Sequence, residues 1–241
     1  PIAMAAHQPV LLAEALAFLN PCSHTRLLDC TFGGGGHARA FLNTSPHATV
    51  TALDCDPEAL DRAVLLEAQF SSRFCFHNLN FVQLDRLPEG DFDAVLLDLG
   101  LSSYQLDAPE RGFSFRLKGP ADMRLDLREG IPASEFLEKA PREELVRAIR
   151  DYGEERRWWR VVEAILKARG TGTLGETASL ADLISTAVGR KPFRVSRIHP
   201  ATQSFQGIRI AVNQELDNLK SVLPAVFARL VPGGVMVVIS F

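Results

Sequence analysis

Leu27-Leu28-Asp29-Cys30-Thr31-Phe32-Gly33-Gly34-Gly35-Gly36-His37 joins an apolar run carrying one carboxylate to four consecutive glycines. A helix-compatible segment, Ala38 to Leu42, follows at once. The order is strand, glycine turn, helix. Glycine has no Cβ to hold a bound group away from the backbone. A helix N-terminus adds unpaired N–H groups facing the same place. A flexible surface loop is the competing reading, and it leaves the flanking strand and helix signals unexplained.

The segments around this stretch repeat the alternation. Upstream, Leu12, Leu16 and Leu19 lie at helical spacing before Pro21 ends the run. Downstream, Ala48 to Leu53 reads as a second strand, and Asp56 with Pro57 opens a helix to about Phe70, with Leu60 and Val64 on its inner face. Asp54 ends that strand 18 residues after Gly36. Doubly wound nucleotide folds place a ribose-binding carboxylate at about that distance; a plain turn is the alternative. Phe74 to His77 is a third strand, followed by Phe81, which suits either stacking on a flat ring or the core. Phe92 to Leu97, nearly all apolar, is a fourth strand covered on both faces. It runs into Asp98-Leu99-Gly100-Leu101-Ser102-Ser103. Three strands thus end in Asp29, Asp54 and Asp98, beside a glycine turn, where open α/β sheets bind ligands.

The alternation then breaks. Tyr104 to Gly130 is rich in charge, Gly and Pro and reads as an ordered functional loop or a domain junction. Helical patterns follow without strands: Leu145, Ile149 and Tyr152 on one face, then a helix with Trp158, Trp159 and Val162, then Leu180, Leu183, Ile184 and Val188. This predicts a helical insert within a βα fold. Arg190, Lys191, Arg194, Arg197, His199 and Arg209 are interleaved with Phe193 and Phe205, a mixture suited to phosphate contacts and base stacking. A charged loop packed on the insert fits that composition equally well. Asn213 to Leu230 reads as a helix with Leu216, Leu219, Leu223 and Leu230 inside, and Pro232-Gly233-Gly234 turns into a fifth strand from Val235 to Ile239. The expected fold is α/β, with the core at 1–106 and 207–241 and the insert at 107–206. A sheet that ends on a central strand predicts further C-terminal strands missing from this sequence.

Composition narrows the function classes. The 241 residues are 46% hydrophobic and 23% charged, ordinary for a globular chain. No apolar run approaches the roughly 20 residues of a membrane span. Cys22, Cys30, Cys55 and Cys75 show no CxxC spacing, so reduced thiols in a cytoplasmic protein and no metal site are expected. Residues 107–205 carry 18 Lys+Arg against 15 Asp+Glu, and the remainder carries 8 against 14. A basic insert beside an acidic core points weakly to a polyanionic partner.

Gly33-x-Gly35-x-x-Ala38 satisfies the letters of a dinucleotide fingerprint, which keeps a NAD-dependent oxidoreductase in contention. The three carboxylates favour S-adenosyl-L-methionine, which has no pyrophosphate and offers hydroxyl and ammonium groups instead.

The segments HQPVLL, LLDCTFGGGGHARA, ALDCDPEA, LLDLGLSSYQLDAPERGFSF, GPADMRLD, YGEER, HPATQSFQGIRIAVNQEL and PGGVMVVISF together resemble the MraW/RsmH family over nearly the whole chain. That family comprises bacterial 16S ribosomal RNA (cytosine-N4)-methyltransferases, with mitochondrial relatives. The resemblance implies a class I, Rossmann-like methyltransferase sheet with an inserted all-helical domain for RNA. It implies a cytoplasmic protein, or a mitochondrial one in a eukaryote. Residue by residue it implies Gly35, Gly36, His37, Asp54, Phe81, Asp98 and Gln105 as cofactor contacts, to which the glycine turn adds Gly33. Two departures stand out. The pair Trp158-Trp159 after YGEER is unusual for the family, and the family continues after Ile239-Ser240-Phe241 with a His-Ser-Leu-Glu-Asp segment.

The implied chemistry needs an acceptor for a proton of the cytosine amine. Asp98 is the candidate, with Ser102 and Ser103 orienting the base. Arg111, Arg116, Lys118, Arg124 and Arg197 are candidate contacts to ribosomal RNA or the small ribosomal subunit, each with a structural role as the alternative. Two alternatives stay open: a DNA amino-methyltransferase, and an RNA-binding assembly factor that retains a cofactor pocket. Oligomeric state stays open too, a dimer included.

Overall fold

The computed structural model describes residues 9–88, 90–189 and 199–240. The chain divides into two compact units, Pro1–Ser103 with Asp217–Phe241, and Tyr104–Leu216. The sequence reading puts these divisions at 106/107 and 206/207; the helix Thr202–Val212 therefore falls in the second unit.

The first unit is a wound α/β sheet. Its order along the chain is α1 (Leu12–Leu19), β1 (Arg26–Asp29), α2 (Gly36–Thr44), β2 (Thr49–Leu53), α3 (Ala59–Phe70), β3 (Phe74–His77) and β4 (Phe92–Asp98). After the second unit, β5 (Leu230–Ile239) adds a fifth strand. All pairings are parallel, in the order β3-β2-β1-β4-β5. From β1 the chain winds outward to β3, then returns to lay β4 on the other side of β1. The glycine turn leaving β1 therefore sits at the switch point of the sheet, where such folds open a crevice beyond the strand ends.

Period-2 alternation fills both faces. Leu27, Val50, Ala52, Ala94 and Leu96 pack with Phe41, Leu42, Ala63 and Leu66 from α2 and α3. Leu28, Leu53, Val95 and Leu97 turn to the other face, against Leu84, Val222 and Val226. Each such fully buried aliphatic side chain stabilises the fold by about 1.5–3 kcal/mol relative to exposure.

Three expectations are corrected here. On α3 the inner face is Ala59, Ala63, Leu66 and Phe70, while Leu60 and Val64 are about half exposed. The small alanines let the helix lie close on the sheet, so the larger residues point away. In α10 (Glu215–Ala228) the buried positions are Val222 and Val226, and Leu216 is exposed. Leu219 and Leu223 are half-buried. Leu230 is not helical: it pairs with Phe92 in β5. The register then jumps from Leu230 opposite Phe92 to Val235 opposite Ala94, so Pro232-Gly233-Gly234 forms an irregular bulge inside the strand.

The second unit is helical. It contains most of α4 (Ser103–Asp107), α5 (Ala133–Lys139), α6 (Arg142–Val146), α7 (Trp158–Ala168), α8 (Thr177–Val188) and α9 (Thr202–Val212). Helix α6 continues as a π-helical turn over Arg147–Tyr152. Beside that turn, a Cβ on Gly207 of α9 would run into the Ala148 carbonyl and lie 2.8 Å from Gly153 Cα. Only glycine lets the two backbones approach this closely.

Candidate active site

The strand register explains how three acids meet. Asp29 lies opposite Ala52 and Leu96 in the sheet. Residues 54 and 98 stand two positions beyond those partners, so their side chains leave the same face one pleat further on. That face is the one covered by α2 and α3, and α2 begins in the glycine turn.

Asp29 is 1% exposed, and the Thr31 amide donates to its Oδ1 at 3.1 Å. Burial pushes its pKa up to about 7. The Thr31 amide and His37 oppose the rise, and the carboxylates of Asp54 and Asp98 add to it. Thr31 also reaches the fourth strand: its Oγ1 accepts from the Asp98 amide at 2.6 Å. One threonine thus fixes the ends of β1 and β4 together.

Asp54 organises the glycine turn. Its Oδ2 accepts from the Gly33 amide at 2.7 Å and its Oδ1 from the Asp56 amide at 2.9 Å. Burial raises its pKa to about 6, with those two amides pulling the other way. Arg62 Nε donates to the Gly33 carbonyl at 2.8 Å, and Asn78 Nδ2 donates to the carbonyls of Asp54 and Asp56 at 2.8 and 3.1 Å. Both readings of Asp54, turn-forming and ligand-facing, are compatible with this geometry, because the residue as a whole is half-buried.

Gly35 adopts φ 71°, and a Cβ there would lie 2.7 Å from the Phe32 ring. That ring is fixed in turn by Phe74 and Phe76, at centroid distances of 5.6 and 5.2 Å. Gly36 is crowded by Pro9, while Gly33 faces Ser102, whose Cβ would be 3.6 Å from an added Cβ. His37, in the first turn of α2, is 7% exposed. Among the described residues neither ring nitrogen has a hydrogen-bond partner, and Nε2 lies 3.4 Å from Asp98 Oδ2.

Gly33, Gly35, Gly36, His37, Asp54, Asp98 and Ser102 are therefore gathered around the turn. Ser103 opens α4. Phe81 begins a 3-10 stretch after β3 and is half-buried against the cluster around Leu84. Gln105 is buried on α4 in the second unit. Thr31, Arg62 and Asn78 were not singled out by sequence reasoning. Thr31 had a usable signal, since a hydroxyl two residues after a strand-end carboxylate can bond sideways to a neighbouring strand. Arg62 and Asn78 had none. Cys30 is buried, and burial together with Asp29 raises its thiol far above the ordinary range, so it is no nucleophile here.

Two of the candidate RNA contacts make the internal bonds of the structural alternative. Arg111 is 1% exposed, and its Nη2 donates to the carbonyls of Arg124 and Leu125 at 3.1 and 3.0 Å. Arg124 forms a two-pronged pair with Asp122, both bonds 2.8 Å, and its Nη1 donates to the Leu127 carbonyl. Both guanidiniums bind groups of the loop itself. Arg116 is exposed, and Lys118 is exposed with its Nζ 3.2 Å from Glu176. Arg197 lies outside the described residues, as do Arg190, Lys191, Phe193 and Arg194. Phe205 is a core residue, edge-on to Phe115, which stacks on His199 at 4.3 Å. Arg209 is paired with Glu215.

Among the described residues no group of His, Cys, Asp or Glu could hold a metal ion, and no helix is long and apolar enough to cross a membrane.

The donor set suits a nucleoside carrying an amino acid. Partly accessible carboxylates accept from hydroxyl or ammonium groups, and a close-packed glycine turn admits a ligand to the backbone. Comparison with known proteins agrees with that chemistry. The MraW methylase family profile matches residues 4–241. Two relatives carry the name ribosomal RNA small subunit methyltransferase H. The one from Thermomicrobium roseum is 45% identical over 240 residues, 98% of this chain and 73% of the relative. The one from Gluconobacter oxydans is 43% identical over 237 residues, 98% of this chain and 72% of the relative.

Proposed function

The chain belongs to the MraW methylase family, and we propose that it transfers a methyl group to the exocyclic N4 of a cytidine in small-subunit ribosomal RNA. The single observation that carries this reading is the convergence of Asp54, Asp98 and His37 on the glycine turn at the switch point. S-adenosylmethionine, when bound, supplies a methyl group on a sulfonium centre. Asp54 accepts hydrogen bonds from ribose hydroxyls while its own amide partners, Gly33 and Asp56, hold it rigid. The turn from Gly33 to Gly36 and the first turn of α2 line the methionine end. Phe81 offers the edge of the base pocket.

The acceptor nitrogen is a poor nucleophile, because its lone pair is delocalised into the pyrimidine ring. The protein must hold it in line, which is chiefly positioning. It must also take a proton as the nitrogen rehybridises. Asp98 receives that proton at Oδ2, the oxygen beside His37. Ser102, adjacent to Gly33, and Ser103 orient the base edge. The cytosine enters only after leaving any stack.

Family membership sets aside the hydride-transfer alternative, and the names of the relatives favour RNA over DNA. The test is methyl transfer from tritiated S-adenosylmethionine to small ribosomal subunits lacking the modification, with nucleoside mass spectrometry of the product. N4-methylcytidine is expected from the wild type, and Asp98→Ala is expected to lose activity by at least about 10²-fold while keeping its circular dichroism spectrum. Methylation at another atom, or full turnover by Asp98→Ala, refutes the assignment. RNA binding without incorporation would mark an assembly factor instead.

A further inference from the structure

The sequence contains two tryptophans, and they are adjacent. Trp158 and Trp159 open α7, following Arg156-Arg157 and preceding Arg160. The buried stripe of α7 is Val161, Val162, Ile165 and Ala168. Trp158 lies one turn before Val161 and Val162 and is half-buried. Its ring carries the Arg150 guanidinium, 5.5 Å from the centroid, and meets Trp159 edge-on at 6.2 Å. Trp159 points elsewhere and is 48% exposed. Arg156 and Arg160, three residues before it and one after, are both exposed.

The nearby carboxylates are unequally placed. Glu155 is buried and accepts from the Arg157 amide at 2.7 Å. Arg157 itself donates to the Val188 carbonyl. Asp151 is exposed and pairs with Arg150 at 2.7 Å, and Glu154 is exposed. Arg156 and Arg160 are thus exposed in the stretch that carries the half-exposed Trp159, while Glu163, one turn further along α7, is paired with Arg142 and Arg150 is shared between Asp151 and Trp158.

We propose that Trp159, with Arg156 and Arg160, is a stacking platform for an unpaired base of single-stranded RNA. About half of the Trp159 surface stays in water, apart from the buried stripe of α7. A flat partner would cover it, and the exposed cations Arg156 and Arg160 in the same stretch favour one whose backbone is anionic. A lipid surface would need an apolar neighbourhood, and the apolar face of α7 turns inward. A paired base offers no free face, so the platform takes a single strand or a loop. The inference rests on the RNA substrate of the proposed function, and it assigns a role to the pair that departs from the family resemblance.

Both tryptophans of this sequence lie at this site, so fluorescence excited selectively at tryptophan, away from Tyr104 and Tyr152, reports on it. Titration with a single-stranded 12-nucleotide RNA is expected to quench that fluorescence, with affinity falling as salt rises. Trp159→Ala is expected to weaken binding about tenfold, the loss of one base stack, and Trp159→Phe to retain most of it. Arg160→Ala is expected to reduce the salt slope by roughly one. A duplex of the same sequence is expected to quench little. Equal affinity of Trp159→Ala and wild type for the single strand overturns the proposal, as does quenching by the duplex alone or by a ribosomal protein and not RNA. The binding arm needs no methyl transfer. Stacking without N4 methylation therefore refutes the proposed reaction and leaves the platform standing. N4 methylation with an unchanged KM for RNA in Trp159→Ala refutes the platform alone.

Discussion

His37 Nε2 lies 3.4 Å from Asp98 Oδ2, and among the described residues the His37 ring, 7% exposed, has no hydrogen bond at either nitrogen. A buried imidazole without a hydrogen bond is costly to hold. The Asp98 carboxylate is within ion-pair distance of it, and the two are brought together by different elements, one by the start of α2 and one by the end of β4. Their interaction is therefore measurable as a coupling. In a double-mutant cycle of His37→Asn and Asp98→Asn, the effects on methyl transfer are expected to be non-additive by about 0.5–3 kcal/mol. Additivity within error would mean that the pair does not act together.

Asp54 is expected to make cofactor affinity depend on pH. A hydroxyl donates more strongly to the ionised carboxylate. The pKa is raised to about 6, so binding of S-adenosylhomocysteine should tighten as pH rises from 5 to 7 and level off above. Binding should also release a fraction of a proton near pH 6, read as a dependence of calorimetric heat on buffer ionisation enthalpy. Asp54→Asn should bind roughly tenfold more weakly and lose both effects. A wild-type affinity independent of pH over that range would refute the role.

Asp29 is expected to work against stability at neutral pH. Its folded-state pKa, about 7, is above the ordinary carboxylate value of 3.8. The folded chain therefore holds a proton that the unfolded chain has released, and stability falls as pH rises from about 4 to about 7. The upper limit of this loss is about 4 kcal/mol. Asp29→Asn keeps an acceptor for the Thr31 amide and removes the titration. Thermal melts at pH 5 and pH 7.5 should show a smaller fall for the variant than for the wild type. Parallel behaviour of the two would show that Asp29 is ionised at neutral pH.

Gly207→Ala is expected to destabilise the second unit by about 1–3 kcal/mol, because the atoms its Cβ meets are backbone: the Ala148 carbonyl and Gly153 N, the latter at 2.7 Å. Gly175→Ala is the control, since nothing lies within 4 Å of a Cβ there. Urea melts of both variants test the difference. An unperturbed Gly207→Ala would mean that the π-helical turn yields freely.

Much of the first unit was legible because its signals are local. β1 to β4 are short apolar runs closed by Asp29, His77 or Asp98, or by Asp54 one residue past the strand, and a glycine turn between strand and helix has few readings. The inner face of α3 is not legible from residue size: the sheet is approached through Ala59 and Ala63, and no pattern of large residues marks that. Pro232-Gly233-Gly234 reads locally as a turn, and only the pairing of Leu230 with Phe92 reveals a bulge. In the site, the carboxylates were visible as strand-end residues. The contact between His37 and Asp98 was not, because it depends on strand order. Arg111 and Arg124 looked like ligand-facing cations because sequence carries the charge but not the carbonyls that absorb it.

The meeting of Gly153 and Gly207 has a consequence for the order of events during synthesis. The turn Arg147–Tyr152 leaves the ribosome about fifty residues before the helix that packs on it. Until α9 emerges, that turn lacks the surface against which its wider winding is held, and α6 and α7 can only sample alternatives. Contacts between segments so distant in the chain are made late and slowly. Amide exchange in nascent chains halted before residue 202 would therefore find the 147–153 backbone unprotected, and protection would arrive as one step when α9 is added.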